Sequence, residues 1–206
     1  MIAVIDYGAG NLQSVVKAFR YIGCEVSVTK DPERLKGAEA AVLPGVGAFG
    51  DAMRCLERSG LVGPTLDFIR SGRPFLGICL GMQLLFECSG ESPGVRGLCV
   101  LPGKILRFPE TPGLKVPHVG WNSLNVRERG GLFAGTGETP YVYFVHSYYL
   151  KAADRAAVTA TAEYGIEFDA SVRRGHLFAT QFHPEKSGAA GLRMLENFAS
   201  LSGSEG

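Results

Sequence analysis

A cysteine, a histidine and a glutamate stand out in this chain as residues whose types and spacing could do covalent chemistry. Cys79 lies between Gly77 and Gly81 in FLGICLGMQ (75–83), behind an apolar run and ahead of a helix-forming stretch. His183 and Glu185 lie in QFHPEKSG, about a hundred residues further on. A thiolate is a strong nucleophile, but the thiol needs a base to take its proton and the base needs a third group to orient it. The pattern G-x-C-x-G between a strand and a helix is that of a nucleophile elbow, which holds the reactive side chain up on a sharp, strained turn. Glycines two positions either side would let the helix fold back on the strand without collision. The start of that helix would favour the thiolate. With 28 glycines in 206 residues the short motif is weak evidence by itself, and free cysteines are commonly small buried hydrophobes. On this motif alone, Cys79 is open to both readings.

The search for a base is short, because the chain has four histidines. His176 sits in the turn-like RGH beside two arginines and reads as surface. His118, in VPHVGWN, follows Pro117 and suits a loop or an interface. His146, in the aromatic YFVHSYY, suits either a core position or a pocket wall. His183 ends the apolar LFATQFH, and Pro184 biases it toward extended backbone and stops the strand. Glu185, two residues on, can return to the imidazole, fix its tautomer and stabilise the imidazolium. In open α/β sheets, sites form at the carboxyl ends of strands, and Cys79 and His183 both come at such ends.

Short β-branched runs at 2–6, 25–29, 40–45 and 74–78 alternate with amphipathic stretches at 11–23, 31–37, 51–60 and 64–72. That alternation predicts a central, mostly parallel sheet with helices on both faces, a three-layer α/β fold. The second half reads as strands, KILRF, 141–150, 156–164, 169–174 and 177–183, which would extend the sheet in antiparallel or mixed fashion. A helix over 189–201 closes the chain before a short polar tail expected to fray. No linker or repeat interrupts it, so residues 1–206 read as one domain.

Composition narrows the partners. A net charge of +1, with basic residues scattered, gives no reason to expect nucleic acid. The most apolar stretch, PFLGICLGMQLLF, is too short to span a bilayer, and the N-terminal IAVID lacks the features of a secretory leader. Five cysteines without a CxxC pair fit neither a disulfide framework nor a zinc site, so free thiols in a reducing cytoplasm are expected, with no metal. DYGAGN (6–11) follows a strand and opens a helix, but Gln13 replaces the third glycine of a dinucleotide fingerprint and no Walker lysine follows. A non-catalytic α/β binding module with a buried Cys79 remains the alternative to an enzyme.

GICLGMQ together with HPEKSG resembles the class I (triad) glutamine amidotransferases. Within that family, DYGAGN, LPGVGAFG (43–50), PHVGWN (117–122) and YFVHSYY (143–149) are similar to the branch that serves imidazole glycerol phosphate synthesis. The resemblance runs from residue 2 to about residue 200. It implies a glutaminase in which Cys79 attacks the glutamine side-chain carbonyl, His183 moves the protons and Glu185 orients His183. It also implies an oxyanion hole from the Leu80 N–H and one from Val46 or Gly47, and glutamine contacts from Gln83, His146, Ser147 and Tyr148. Of these glycines, Gly45 and Gly47 would let the PGVG peptides flip. The implied partner is a (β/α)8 barrel cyclase, which receives the ammonia and makes imidazole glycerol phosphate and AICAR in histidine biosynthesis. Asn11, His118, Trp121 and Asn122 would face it in a heterodimer. No cofactor is implied. Related glutaminases of the pyridoxal phosphate, anthranilate and GMP synthase systems share the triad, but DYGAGN argues against them.

Overall fold

Five parallel strands set the frame that the site is built on. In the computed structural model, which describes residues 1–110 and 112–203, these are β1 (Ile2–Ile5), β2 (Val26–Thr29), β3 (Ala40–Gly45), β4 (Phe75–Cys79) and, from the far end of the chain, β13 (Leu177–Thr180). They lie in the order β2-β1-β3-β4-β13, so the last strand inserts beside β4 and brings the His183 segment next to Cys79.

The helices α1 (Leu12–Tyr21), α2 (Pro32–Lys36), α3 (Phe49–Arg58) and α4 (Val62–Arg70) connect the first four strands. Alternate strand residues point to opposite faces. Ala3, Ile5 and Leu43 pack with Phe49, Leu56 and Phe68 under α3 and α4, while Val4, Val42 and Ile78 pack with Phe19 and Phe198 under α1 and the final helix. Each such aromatic contributes about 1.5–3 kcal/mol by leaving water. Asp31 caps α2 by accepting from the Glu33 N–H at 2.9 Å, as its place before Pro32 predicts.

Beyond Cys79 the chain differs from the sequence reading in several places. The helix after Cys79, α5 (Leu80–Gln83), is a single turn. Strands β5 (Cys88–Ser89) and β6 (Gly103–Arg107) follow, then β7 (His118–Ser123) and β8 (Asn125–Val126). The strand expected over 141–150 breaks at Ser147 into β9 (Tyr141–His146) and β10 (Tyr148–Ala152). The break has a topological cause: β9 pairs with β7 in a separate two-stranded ribbon, whereas β10 returns to pair with β6 and β12. Periodicity does not reveal β7, because His118, Gly120 and Asn122 hide its alternation. Strands β11 (Val158–Glu163) and β12 (Glu167–Arg174) complete the antiparallel half of an eleven-stranded sheet, and a two-residue turn at Gly175–His176 joins β12 to β13 as predicted. β13 stops at Thr180, three residues short of His183, and α6 (Gly188–Ser200) then covers the α1 face. The expected strand at 177–183 is therefore shorter, and residues 204–206 of the tail lie outside the described residues. Helices α3 and α4 each begin two residues earlier than read.

Candidate active site

Cys79 ends β4 and carries a left-handed backbone, φ 55°, which costs a non-glycine residue strain and turns its side chain out of the sheet. The flanking glycines are steric necessities. A Cβ on Gly81 would lie 1.8 Å from the Leu43 carbonyl oxygen, and one on Gly77 would lie 3.0 Å from the Gly81 carbonyl oxygen. So Gly77 permits the turn to fold over its own strand, as expected, but Gly81 is demanded by the neighbouring strand β3. The expected help from a helix N-terminus does not survive, since a four-residue turn carries little macrodipole.

His183 supplies what the helix does not. It is 2 % exposed, and its Nδ1–H donates to Glu185 Oε1 at 2.8 Å, so the acid two residues on does return to the ring. Burial disfavours a charged ring. Interaction with Cys79 and with the Glu185 carboxylate outweighs that and raises the His183 pKa to about 10. His183 Nε2 is buried with no hydrogen-bond partner among the described residues. The backbone of this segment is pinned to the ribbon. The His183 N–H donates to the Tyr143 carbonyl, and the Ser187 hydroxyl accepts from the Tyr143 N–H while donating to the His183 carbonyl.

A cavity of about 330 Å³ opens over Cys79, within the usual range for small-molecule sites. Val46, Gly47, Leu80, Gln83, His146, Ser147, Tyr148 and His183 all line it, so the expected substrate and oxyanion positions are brought together. Leu80 has the first N–H of α5, where no carbonyl of the turn can accept it. Gly47 has φ 100° and open space around it, whereas a Cβ on Gly45 would lie 2.6 Å from the Tyr7 hydroxyl oxygen. The backbone freedom expected of both glycines belongs to Gly47 alone. Three residues of the site escaped the sequence reading. Glu91 places a carboxylate in the cavity wall while accepting from the Phe49 N–H at 2.7 Å. Gln181 lies beside the thiol, and Ser187 makes the bridge described above. An acid in the turn-rich GESPG and the polar Gln181 before QFHPE were the available signals.

The four expected interface residues part company. Trp121 is 57 % exposed and stands on the outer face of the ribbon with Val119, Tyr141 and Val145, beside exposed Val46. Asn11 caps α1, bonding the Ser14 hydroxyl at 2.9 Å. His118 is buried, stacked between Phe144 and Tyr164, and so does not itself face outward. The half-buried Asn122 side chain donates to the Glu163 carbonyl at 2.7 Å and reaches His118 Nε2 at 3.5 Å. His118 Nδ1 lies 3.0 Å from His146 Nε2, and His146 Nδ1 lies 2.9 Å from the Tyr148 carbonyl oxygen. A carbonyl only accepts, so His146 carries its proton on Nδ1, and His118 must then donate from Nδ1 and accept at Nε2. Burial lowers the His118 pKa to about 4 and that of His146 to about 3, so both rings are neutral at pH 7.

A cysteine on a strained turn, a carboxylate-backed histidine and a pocket at the carboxyl ends of parallel strands fit the site of a glutamine amidotransferase. The chain belongs to the family described as glutamine amidotransferase class-I, whose model matches residues 3–201. Among individual proteins it is similar to imidazole glycerol phosphate synthase subunit HisH of Geobacter metallireducens, 54 % identical over 96 % of this chain and 97 % of that one. It is similar to the same subunit of Methanothermobacter thermautotrophicus, 53 % identical over 98 % of both chains. A putative GMP synthase protein of Thermoplasma acidophilum superposes with a TM-score of 0.73 at 20 % identity, over 98 % of this chain and 94 % of that one. A solved structure described as a glutamine amidotransferase gives 0.76 at 21 %, over 98 % and 100 %. At such identities the two structures bear on the fold alone.

Proposed function

We propose that this chain is the glutaminase subunit of an imidazole glycerol phosphate synthase, acting as one domain over residues 1–206. It hydrolyses glutamine to glutamate and ammonia for a cyclase subunit in histidine biosynthesis. The observation that carries the reading is the juxtaposition of Cys79 and His183 in the wall of one cavity, with Glu185 bonded to His183 Nδ1. The Cys79 sulfur adds to the side-chain carbonyl carbon of glutamine, and the oxyanion is held by the Leu80 N–H and one from Val46 or Gly47. His183, protonated by the thiol, gives that proton to the leaving nitrogen as the C–N bond breaks. Ammonia departs and a thioester remains on Cys79. Water, deprotonated by His183, then hydrolyses the thioester to glutamate, and Glu185 stabilises the imidazolium throughout. Glu91 is the carboxylate of the cavity wall and suits the α-ammonium of an amino acid; Gln83, His146, Ser147 and Tyr148 supply the remaining contacts.

The partner we infer is a (β/α)8 barrel cyclase making imidazole glycerol phosphate and AICAR in the cytoplasm, docked on the apolar ribbon face around Trp121 to form a heterodimer. An aromatic anchor on an exposed apolar face supports that docking. Among the described residues no helix is long and apolar enough to cross a membrane. Gly47 lets the oxyanion segment rearrange only when the partner is engaged, so the isolated chain is nearly idle. Glutamine hydrolysis measured with and without the cyclase, in the presence of the cyclase's own ligand, tests this. Strong activation upon docking is expected, and full activity of the isolated chain would sink it.

A further inference from the structure

Gln181 lies two residues before His183, is fully buried, and has its backbone N–H tied to the Ala170 carbonyl of β12. Its side chain sits between two residues of the site. Oε1 accepts from Gln83 Nε2 at 2.9 Å, and Nε2 lies 3.7 Å from Cys79 Sγ. The polarity of these contacts follows from one atom. The Tyr148 carbonyl oxygen can only accept, and it takes Gln83 Nε2 at 3.2 Å and His146 Nδ1 at 2.9 Å. Gln83 must therefore turn its NH2 group inward, spending both N–H bonds on Tyr148 and Gln181. Gln181 must turn its oxygen to Gln83 and its own NH2 to the sulfur.

We propose that Gln181 is a positioning residue of the glutaminase site, donating an N–H to the Cys79 sulfur and holding Gln83 so that only its amide oxygen is left for substrate. The proposal rests on the glutaminase reading above. A donor against sulfur favours the thiolate over the thiol, and it favours the rotamer that keeps Sγ over the cavity. It acts together with His183, which presents the opposite charge to the same atom. The order of effects is clear: Gln181 leaves proton transfer to His183 and makes the nucleophile more available. A glutamine that merely filled the core would need no such fixed polarity, and a methionine of similar volume would replace it without consequence for the thiol.

The test uses the full chain and Gln181→Met and Gln181→Glu variants, with iodoacetamide labelling of Cys79 followed against pH by site-resolved mass spectrometry. Site resolution is required because Cys99 is exposed beside Arg96 and will also label. In Gln181→Met the labelling profile is expected to move up by about one pH unit, with a several-fold to tenfold slower rate at pH 7. With the cyclase present, kcat for glutamine falls about tenfold and KM changes less. Gln181→Glu keeps the acceptor for Gln83 but loses the donor to sulfur, so it is expected to shift the profile at least as far. A cooperative thermal unfolding transition near the wild-type Tm and co-elution with the cyclase in size-exclusion chromatography show that a variant is folded and docked. An unshifted profile in a folded variant overturns the proposal, and failure of both variants to fold assigns Gln181 to the core and does so too. If instead wild-type Cys79 labels no faster than Cys24, Cys55 and Cys88, the glutaminase reading itself fails.

Discussion

His118 and His146 on the ribbon, and His183 in the catalytic segment, are buried almost equally, at 3 %, 6 % and 2 % exposure. Their pKa values are displaced in opposite directions. Burial pushes every imidazole toward neutrality, and on the ribbon only the Tyr148 carbonyl bonded to His146 opposes it, without reversing it, since His118 and His146 otherwise face each other, aromatic rings and Asn122. At His183 a thiol and a carboxylate face the ring and reverse the outcome. Depth therefore does not set the pKa of a buried histidine; the groups that face the ring do. The neutral pair is useful in its own way, because a fixed tautomer chain holds the Tyr148 carbonyl that organises Gln83.

Removing one of the two groups that face the His183 ring gives the largest expected effect. Cys79→Ala should abolish glutamine-dependent turnover of the complex while leaving turnover with added ammonium salts, and NMR titration should find the His183 pKa lowered. Loss of both activities would mean that Cys79 holds the fold or the interface. Glu185→Gln keeps the shape but removes the charge at the other end of the ring. A fall in kcat on the order of 10²- to 10⁴-fold is expected, by comparison with loss of the orienting acid in related triads. A change under threefold would sever Glu185 from the mechanism.

The ribbon histidines should show in stability rather than turnover. Between about pH 6.5 and pH 4 the unfolded chain takes up protons on both while the folded chain does not, so stability falls as pH falls. The slope is on the order of 1.4 kcal/mol per pH unit for each ring. His183 has the opposite sign: its raised pKa contributes stability below pH 6.5 that is lost as pH rises through about 10. Urea unfolding at pH 7, 6 and 5 would check the acid arm, and a flat response would refute the neutral assignment. His118→Phe is expected to halve that acid slope, because the stack with Phe144 and Tyr164 can persist. It should cost about 1–3 kcal/mol at pH 7 by leaving His146 Nε2 without a donor. Its effect on kcat should stay within a few-fold; a hundredfold loss would move His118 into the catalytic machinery.

Much of this was legible in the sequence where the signal is local. The alternation through residue 79, the Asp31 cap, Gly77 and the His183–Glu185 pair depend on neighbours within a few positions, and they stand as read; Gly81 is required for another reason, the Leu43 carbonyl of β3. The reading faltered where distant segments decide. Periodicity alone cannot show that 141–150 must break at Ser147, because the break exists to let β9 pair with β7 and β10 with β6. His118 read as a loop or interface residue after Pro117, and the resemblance placed it at the interface, because the rings that stack on it from distant segments were not visible.

By itself, then, the sequence determined the residue types able to attack, to move a proton and to orient the base, and the parallel frame that ends beside them. Tertiary structure decided their states. It placed β13 next to β4, set Gln181 against a thiol 102 positions away, and moved the pKa of His183 opposite to those of His118 and His146. The reason is that burial is foreshadowed by apolar patterning along the chain. Hydrogen-bond polarity and protonation depend on which atoms meet across the fold.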